Sequence, residues 1–395
     1  MSAGQNPERT RAESQRRRIA LISSSFAPDV GGVEEAVRHL AIGLAANGHD
    51  VEVWTVDRAG GASLGVVDGV TVRYLPTPLP ARSLGALVRF ARAAPGAWRA
   101  WARSFRAFRP ALVHVHCFGP NGLYALRLQR RFRVPMVLTS HGETIADDRG
   151  VFGRSALLRR GLRGAVARAS AVTAPSGVVL DDLRAHYGLT DGVVIPNGVD
   201  LAMTATTDGD ARPYLFAVGR LGLMKGFDLL LQAVAQAGLE PSIRVVIGGD
   251  GPERERLEAL AASLHLQSRV ELRGWMDPQA VADAMAGALA VVVPSRMEAF
   301  GIVALEAWRS AAPLIMTDRG GARSFVRDGE DGILVDPEDT PAFAALLRQV
   351  LEDPARRAAL SEAGRARAHE FGWNAVVEQY ERLYADAAPG SGRKA

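Results

Sequence analysis

Short apolar runs alternate with amphipathic segments along nearly the whole chain, and this alternation constrains the fold more than any other feature of the sequence. Residues 19–23, 51–56, 70–75, 111–117, 135–139, 171–174 and 193–195 read as buried strands. After Gly32, apolar residues fall at Val33, Ala36, Val37, Leu40, Ala41 and Leu44, the spacing of one helical face. The pattern restarts beyond residues 196–200, with strands expected at 214–218, 243–247, 269–272, 290–293, 314–317 and 333–335. Strand then helix, repeated, predicts parallel sheets covered by helices on both faces. The fold class is α/β, with two Rossmann-like, doubly wound domains in tandem. Such sheets bind ligands at the carboxyl ends of their strands, which points to the cleft between the two domains. The polar stretch 204–212 reads as a linker, and residues 1–18 and 388–395 as disordered tails.

A chain of 395 residues has room for two or three domains. The single cysteine, Cys117, excludes an intrachain disulfide framework and a cysteine zinc site, and suits a reducing cytoplasm. The strongest apolar stretch, 288–294, is far shorter than the roughly 18 residues of a membrane span. The arginine-rich start lacks the apolar core of a secretory signal. Charge is unevenly spread. Residues 1–200 carry 26 basic and 16 acidic side chains, against 21 and 27 in residues 201–395. No acidic residue falls between Asp68 and Glu143, an interval holding twelve arginines. A basic half fits an anionic partner, such as a phosphorylated or lipid-linked acceptor or a bilayer surface, and equally an arginine-rich composition with a solvated face. No motif for reading bases accompanies the charge, so no nucleic-acid partner is expected. Lysine is rare: outside the C-terminal tail only Lys225 occurs, which marks it as a residue kept for its chemistry.

Five motifs sit where strands should end. Gly31–Gly32–Val33–Glu34 joins the first strand to the first helix, where glycines admit a ligand and free N–H groups attract an anion. It lacks the GxGxxG spacing of a dinucleotide site, which counts against a dehydrogenase. Gly219–Arg220 with Lys225–Gly226 places two cations on one strand-to-helix loop, able to hold one diphosphate. Gly248–Gly249–Asp250–Gly251–Pro252 is a second glycine-rich strand end. The stretch from Pro294 to Ala307 is the most specific: Glu298 on a loop, a helix opening near Gly301, and Glu306 about a turn and a half inside it. Glu298 can accept hydrogen bonds from sugar hydroxyls, the amides of Gly301, Ile302 and Val303 can face a phosphate, and Glu306 can hold a vicinal diol. Apolar neighbours make Glu306 a buried carboxylate in need of a partner. Thr139–Ser140–His141–Gly142 sets a histidine at a strand end in the first half, suited equally to substrate or to structure.

In this order the five motifs resemble those of the family 4 retaining glycosyltransferases, enzymes of the GT-B fold. The resemblance spans roughly residues 19–384 and is most specific in the EX7E spacing of Glu298 and Glu306. It implies an acceptor-side domain over 19–200, a nucleotide-sugar domain over 201–372, and a last segment, 373–395, with a helix crossing back to the first domain before the tail. It implies transfer of a hexose from a UDP- or GDP-sugar to an acceptor hydroxyl with retention of configuration, in glycoconjugate, glycolipid or natural-product biosynthesis. Arg220 and Lys225 would neutralise the diphosphate, Glu298 would hold the transferred sugar, and His141 would face it near the reacting carbon. Gly31, Gly32, Gly219 and Gly249 would admit the donor to the backbone. Phe300, Gly301, Ile302 and Val303 would contact it through main chain, Glu306 would hold the ribose, and Trp275 and Met276 would line the base. His116 and Asn121 would border the acceptor pocket.

No metal or cofactor is expected, because the only DxD, Asp208–Gly209–Asp210, falls in the linker, and His114 and His116 lack a third ligand. The expected location is the cytoplasm, with peripheral contact at the inner face of the membrane as an extension. That extension rests on residues 83–109, where apolar positions and an arginine stripe share one helical stretch that Pro95–Gly96 should break in two. Two positions depart from the family pattern. Ser324 stands where a glutamate is frequent, and Ala299 where glycine or proline is common. The competing readings are a nucleotide-sugar epimerase of the same fold and a non-catalytic nucleotide-sugar-binding protein.

Overall fold

The computed structural model describes residues 16–29, 31–57, 63–80, 83–146, 150–206 and 212–387. The first half runs β1 (Arg18–Ser23), α1 (Gly32–Ala46), β2 (Asp50–Val56), β3 (Ser63–Val67), β4 (Val70–Leu75), α2 (Leu84–Phe108), β5 (Leu112–His116), α3 (Pro120–Phe132), β6 (Met136–Thr139), α4 (Val151–Arg154), α5 (Ala156–Val166), β7 (Ala171–Ala174), α6 (Gly177–Tyr187) and β8 (Val193–Val194). The second half runs β9 (Tyr214–Val218), α7 (Phe227–Ala237), β10 (Arg244–Gly248), α8 (Arg254–Ser263), β11 (Val270–Gly274), α9 (Pro278–Ala286), β12 (Ala290–Val293), α10 (Ile302–Arg309), β13 (Leu314–Thr317), β14 (Ile333–Val335), α11 (Thr340–Glu352), α12 (Pro354–Ala368) and α13 (Trp373–Ala387).

Two sheets result, ordered β3-β4-β2-β1-β5-β6-β7-β8 and β11-β10-β9-β12-β13-β14. All pairings are parallel except β3 with β4. Both sheets start centrally and then reverse direction, at β1/β5 and at β9/β12, which opens a crevice at each switch point. The loops leaving β1 and β9 carry Gly31–Gly32 and Gly219–Lys225. Apolar side chains cover each sheet on both faces, as the near-continuous apolar strands require.

Three expectations need correction. Arg18 already belongs to β1, and the guanidinium of Arg17 bonds the carbonyl of Tyr384, so the ordered chain starts before residue 19; residues 1–15, 388–395 and Asp208–Asp210 lie outside the described residues. Strand β3 was not expected. It is an edge strand whose Leu64 and Val66 are exposed, so it has no buried apolar run to signal it. Helix α2 passes through Pro95 without a break. Its second half is anchored by Trp101, which stacks on Tyr124, meets Trp54 edge-on and donates its Nε1–H to the carbonyl of Pro76 at 3.0 Å. That packing offsets the one hydrogen bond and the steric cost of an interior proline. Before Pro95 the helix stands clear: Leu84, Leu87 and Val88 are exposed.

Helix α13 packs on the first half. Val199 N–H donates to the carbonyl of Phe371 at 2.9 Å, and Val376, Val377, Tyr380 and Tyr384 join the core beneath β1 and α1. Gly43 of α1 leaves room for Val377, where a Cβ would collide with it. Among the described residues no helix is long and apolar enough to cross a membrane.

Candidate active site

The second half presents its cations at the end of β9. Gly219 lies against Gly249: the Gly219 N–H donates to the Gly248 carbonyl at 3.0 Å, and a Cβ on Gly249 would overlap the Gly219 carbonyl. Gly249 N–H in turn donates to Gly274 at 2.6 Å, so three adjacent strands end in one thin glycine layer. Arg220 leaves this layer exposed, with no ion pair among the described residues. A 3₁₀ turn, Leu223–Lys225, then aims Lys225 at the next loop. Its ammonium lies 2.8 Å from Glu298 Oε2, which also accepts from Ser295 Oγ at 2.9 Å. The Glu298 backbone is fixed from both sides, donating to Arg319 O at 3.1 Å and accepting from Gly321 N–H at 2.8 Å. Behind this pair, Arg296 clamps Asp228 with two 2.8 Å bonds. Burial alone would raise the Asp228 carboxyl, but the bonds and charge of Arg296, with Arg256, hold it below the usual range.

Gly301, in left-handed backbone at φ 95°, caps α10. The first-turn amides of Ile302 and Val303 have no helical acceptor and face outward from the helix end. Phe300 turns its ring inward, stacked on Phe325 at 4.3 Å between centroids, so only its main chain is available to a ligand. Glu306 is half-buried, and its carboxylate accepts no hydrogen bond from the described residues. Burial raises its carboxyl; the charge of Arg309 opposes this and that of Glu35 adds to it. Trp275 is two-thirds exposed, and Met276 sets its sulfur against Gly248.

The first half closes over the helix end. Gly31 is fully extended and Gly32 opens α1, with Ile302 Cδ1 3.4 Å from where a Gly32 Cβ would stand. The N-termini of α1 and α10 therefore meet across the cleft, two positive helix ends converging on one space. A second contact is made at the Glu298 loop: Ser176 Oγ donates to Ala299 O at 2.5 Å, and Gly142, at φ 90°, has Ala299 where its Cβ would be. The Ala299 departure is thus a packing site between the halves. The Ser324 departure is local: its hydroxyl caps its own turn at Gly321 O, 2.5 Å away.

His141 stands beside this contact. Its Nε2 lies 3.1 Å from His116 Nδ1, and burial holds the ring down at a pKa of about 4, neutral at physiological pH. The expectation that His116 and Asn121 border an acceptor pocket is not met. His116 is 1% exposed and Asn121 fully buried, His116 beneath Tyr380 of α13 and Asn121 donating to Ile22 O at 3.4 Å. His116, at the end of an inner strand, is covered by the returning helix, a contact across more than 250 residues that local sequence does not encode.

Sequence reasoning missed Glu143, Ser176 and Ser295. Glu143 accepts from Phe118 N–H at 2.8 Å, Ser140 Oγ at 2.9 Å and His141 N–H at 2.7 Å, pinning the two strand-end loops that frame His141. Burial raises its carboxyl, and these three bonds, with one from its own backbone, partly oppose the shift. A signal existed: it is the first carboxylate after the long acid-free interval, two residues beyond His141.

Known proteins resemble this chain in sequence and fold. Residues 204–367 match the family described as Glycosyl transferases group 1, and residues 30–203 match Glycosyltransferase Family 4. A D-inositol 3-phosphate glycosyltransferase from Rhodococcus opacus (strain B4) is 30% identical over 430 residues, covering 96% of this chain and 93% of its own. The structure of sucrose-phosphate synthase from Thermosynechococcus elongatus matches with a TM-score of 0.80 at 26% identity, over 94% of this chain and 98% of that one. Anabaena HepE, solved in complex with UDP-glucose, matches with a TM-score of 0.74 at 20% identity, over 94% and 100%. Both halves match in sequence order and the likeness extends over nearly the full length, so the chain belongs to the family 4 glycosyltransferases with the GT-B fold.

Proposed function

We propose that the protein is a retaining hexosyltransferase that moves a sugar from a UDP- or GDP-sugar to the hydroxyl of an anionic or lipid-linked acceptor. The observation that carries this reading is the Lys225–Glu298 pair beside the converging N-termini of α1 and α10. Cleavage of a glycosyl phosphate leaves an oxocarbenium-like sugar and charge growing on the departing diphosphate. Arg220, Lys225 and the free amides of α10 meet that charge in fixed positions, the arrangement that lowers such a barrier most. Glu298, held by Lys225 and Ser295, accepts hydroxyls of the sugar. Glu306, without a protein partner, accepts those of the ribose. The acceptor attacks from the leaving-group face, and the departing phosphate takes its proton. The reading assigns no role to a metal or cofactor.

The relative from Rhodococcus opacus is named for an inositol phosphate, and the first half of this chain is basic, which together favour a phosphorylated acceptor for a glycoconjugate, glycolipid or natural product. The test is a panel of nucleotide sugars and phosphorylated polyols followed by NMR of the anomeric proton. A product with inverted configuration, conversion of donor without acceptor as an epimerase would give, or tight binding with no turnover would each overturn the proposal.

The exposed start of α2 supports a second reading, in which the enzyme works in the cytoplasm against the inner membrane face. Leu84, Leu87 and Val88 stand in solvent on a helix that also carries Arg89 and Arg92, an amphiphile suited to an anionic lipid surface. Vesicles with about one-third anionic lipid should sediment the protein at low salt; failure to do so removes this reading.

A further inference from the structure

Three histidines and a tyrosine form a hydrogen-bonded file through the core of the first half, and the donor chemistry above makes no use of it. His141 Nε2 lies 3.1 Å from His116 Nδ1, and His116 Nε2 lies 3.1 Å from His114 Nδ1. His114 Nδ1 is 2.6 Å from the hydroxyl of Tyr384, and its Nε2 is 2.6 Å from Thr139 Oγ1. His114, His116 and Tyr384 are each at most 1% exposed. Tyr384 belongs to α13, so the file runs from the cleft to the helix that returns from the second half. Burial holds all three imidazoles well below their ordinary range, so each is neutral and carries a single N–H.

The direction of the file follows from its far end. Burial raises the Tyr384 phenol, so it keeps its proton, and its hydroxyl meets His114 Nδ1. That nitrogen is therefore an acceptor, and His114 carries its proton on Nε2, donated to Thr139. His116 Nε2 faces the same acceptor. An unprotonated His116 Nε2 would aim its lone pair at the electron-rich His114 Nδ1 and repel it, so His116 is protonated on Nε2, a second and longer donor to the lone pair that Tyr384 also meets, and its Nδ1 accepts from His141 Nε2–H. The opposite order strands the hydroxyl proton of Tyr384 in a dry core, at a cost of about 1–3 kcal/mol.

We propose that His116, His114 and Tyr384 are positioning residues for His141: the Tyr384 hydroxyl sets the direction of a file that turns the His141 Nε2–H inward and leaves its Nδ1 lone pair for substrate. This rests on the glycosyl-transfer reading of the cleft. A neutral ring offering a lone pair suits an oxocarbenium-like sugar, which an imidazolium would repel. With its N–H committed to His116, His141 accepts a hydrogen bond from a sugar hydroxyl and has no proton to give.

The test labels the eight histidines with ¹⁵N and reads tautomers by long-range ¹H–¹⁵N correlation, with assignments from single His→Gln variants. Wild-type His114, His116 and His141 should all be Nε2–H. Tyr384→Phe should move all three signals toward mixed tautomers. In kinetics, His116→Leu should lower kcat about tenfold or more with the donor KM nearly unchanged, and His116→Asn, which restores a polar atom near the Nδ1 position, should recover most of the loss. An Nδ1–H tautomer at His141 in the wild type overturns the proposal, as do equal losses in the Leu and Asn variants once both are shown to be folded. If the wild type transfers no sugar at all, the functional reading fails while the tautomer measurement still decides the direction of the file.

Discussion

The ammonium of Lys225 lies 2.8 Å from Glu298 Oε2, and the two residues come from loops following neighbouring strands, β9 and β12. The pair sits at the switch point of its sheet, where a parallel fold leaves a crevice. On the proposed reading Lys225 has two tasks, orienting Glu298 and meeting charge on the donor. Arg220 in the same loop has no ion-pair partner among the described residues and only the second task.

That division separates two variants. Lys225→Ala and Arg220→Ala should each reduce kcat by about 100-fold or more, the scale for losing one charge-stabilising donor. Only Lys225→Ala should also lower Tm, by about 1–3 °C, because it strips a buried carboxylate of its half-exposed cation. Steady-state kinetics and thermal melts of both variants check this. Wild-type rates in either would remove that residue from the phosphate site, and equal melts would show that the Glu298 contact contributes nothing to the unliganded protein.

Glu306 is predicted to trade stability for binding. Its carboxyl is raised above the ordinary 4.5 by burial, with the charge of Arg309 opposing and that of Glu35 adding. A raised acid favours folding fully below the unfolded value, and this contribution is lost as pH climbs through the folded value, so at neutral pH the charge is a burden. Glu306→Gln should melt higher than wild type at pH 7, with the advantage vanishing near pH 4. It should also bind nucleoside diphosphate about tenfold more weakly, having lost charge-assisted bonds to a diol. Calorimetric titration with UDP and GDP, alongside melts at both pH values, reads the two effects separately; unchanged affinity sinks the ribose contact.

Much of this site could be read before any coordinates. Buried strands of a parallel sheet announce themselves as apolar runs, so thirteen of the fourteen strands fall within two residues of the expected bounds at each end, and the cations and carboxylates mark the strand ends they occupy. What failed to register were relationships set by packing. Pro95 looked like a break because the holding force, Trp101 against Trp54 and Tyr124, comes from other elements. β3 has no buried face to create a pattern. His116 ends β5 and Asn121 opens the following helix α3, both beside the cleft, yet α13 covers His116 from more than 250 residues away in the chain.

Glu143 is the residue this comparison brings forward. Its two oxygens accept three hydrogen bonds from other residues, two of them from backbone N–H groups that flank the site. Glu143→Gln would turn a donor toward one of those donors, leaving buried groups unsatisfied at about 1–3 kcal/mol and loosening the backbone of His141. Turnover should fall about tenfold or more, with donor affinity little changed because the proposed diphosphate contacts Arg220 and Lys225 lie in the other half. Equilibrium unfolding and donor titration on the same preparation would expose a mere folding defect, in which affinity falls along with the active fraction.

The last prediction concerns how the halves meet. Gly142 is in left-handed backbone at φ 90° and packs directly on Ala299, where the family often has glycine or proline. Gly142→Ala should clash with Ala299 and also strain its own backbone, holding the Glu298 loop away from His141. Arg220, Lys225 and Glu306, the proposed diphosphate and ribose contacts, belong to the second half, so nucleotide affinity should survive while kcat falls. Ala299→Gly on the mutant background should recover the part of the loss due to the clash and leave the part due to backbone strain. A double-mutant cycle on kcat then gives a coupling of about 1 kcal/mol or more between two residues that stand on opposite sides of the cleft. Strict additivity would mean that they do not touch when the enzyme turns over, and that the closed arrangement described above is not the one in which sugar is transferred.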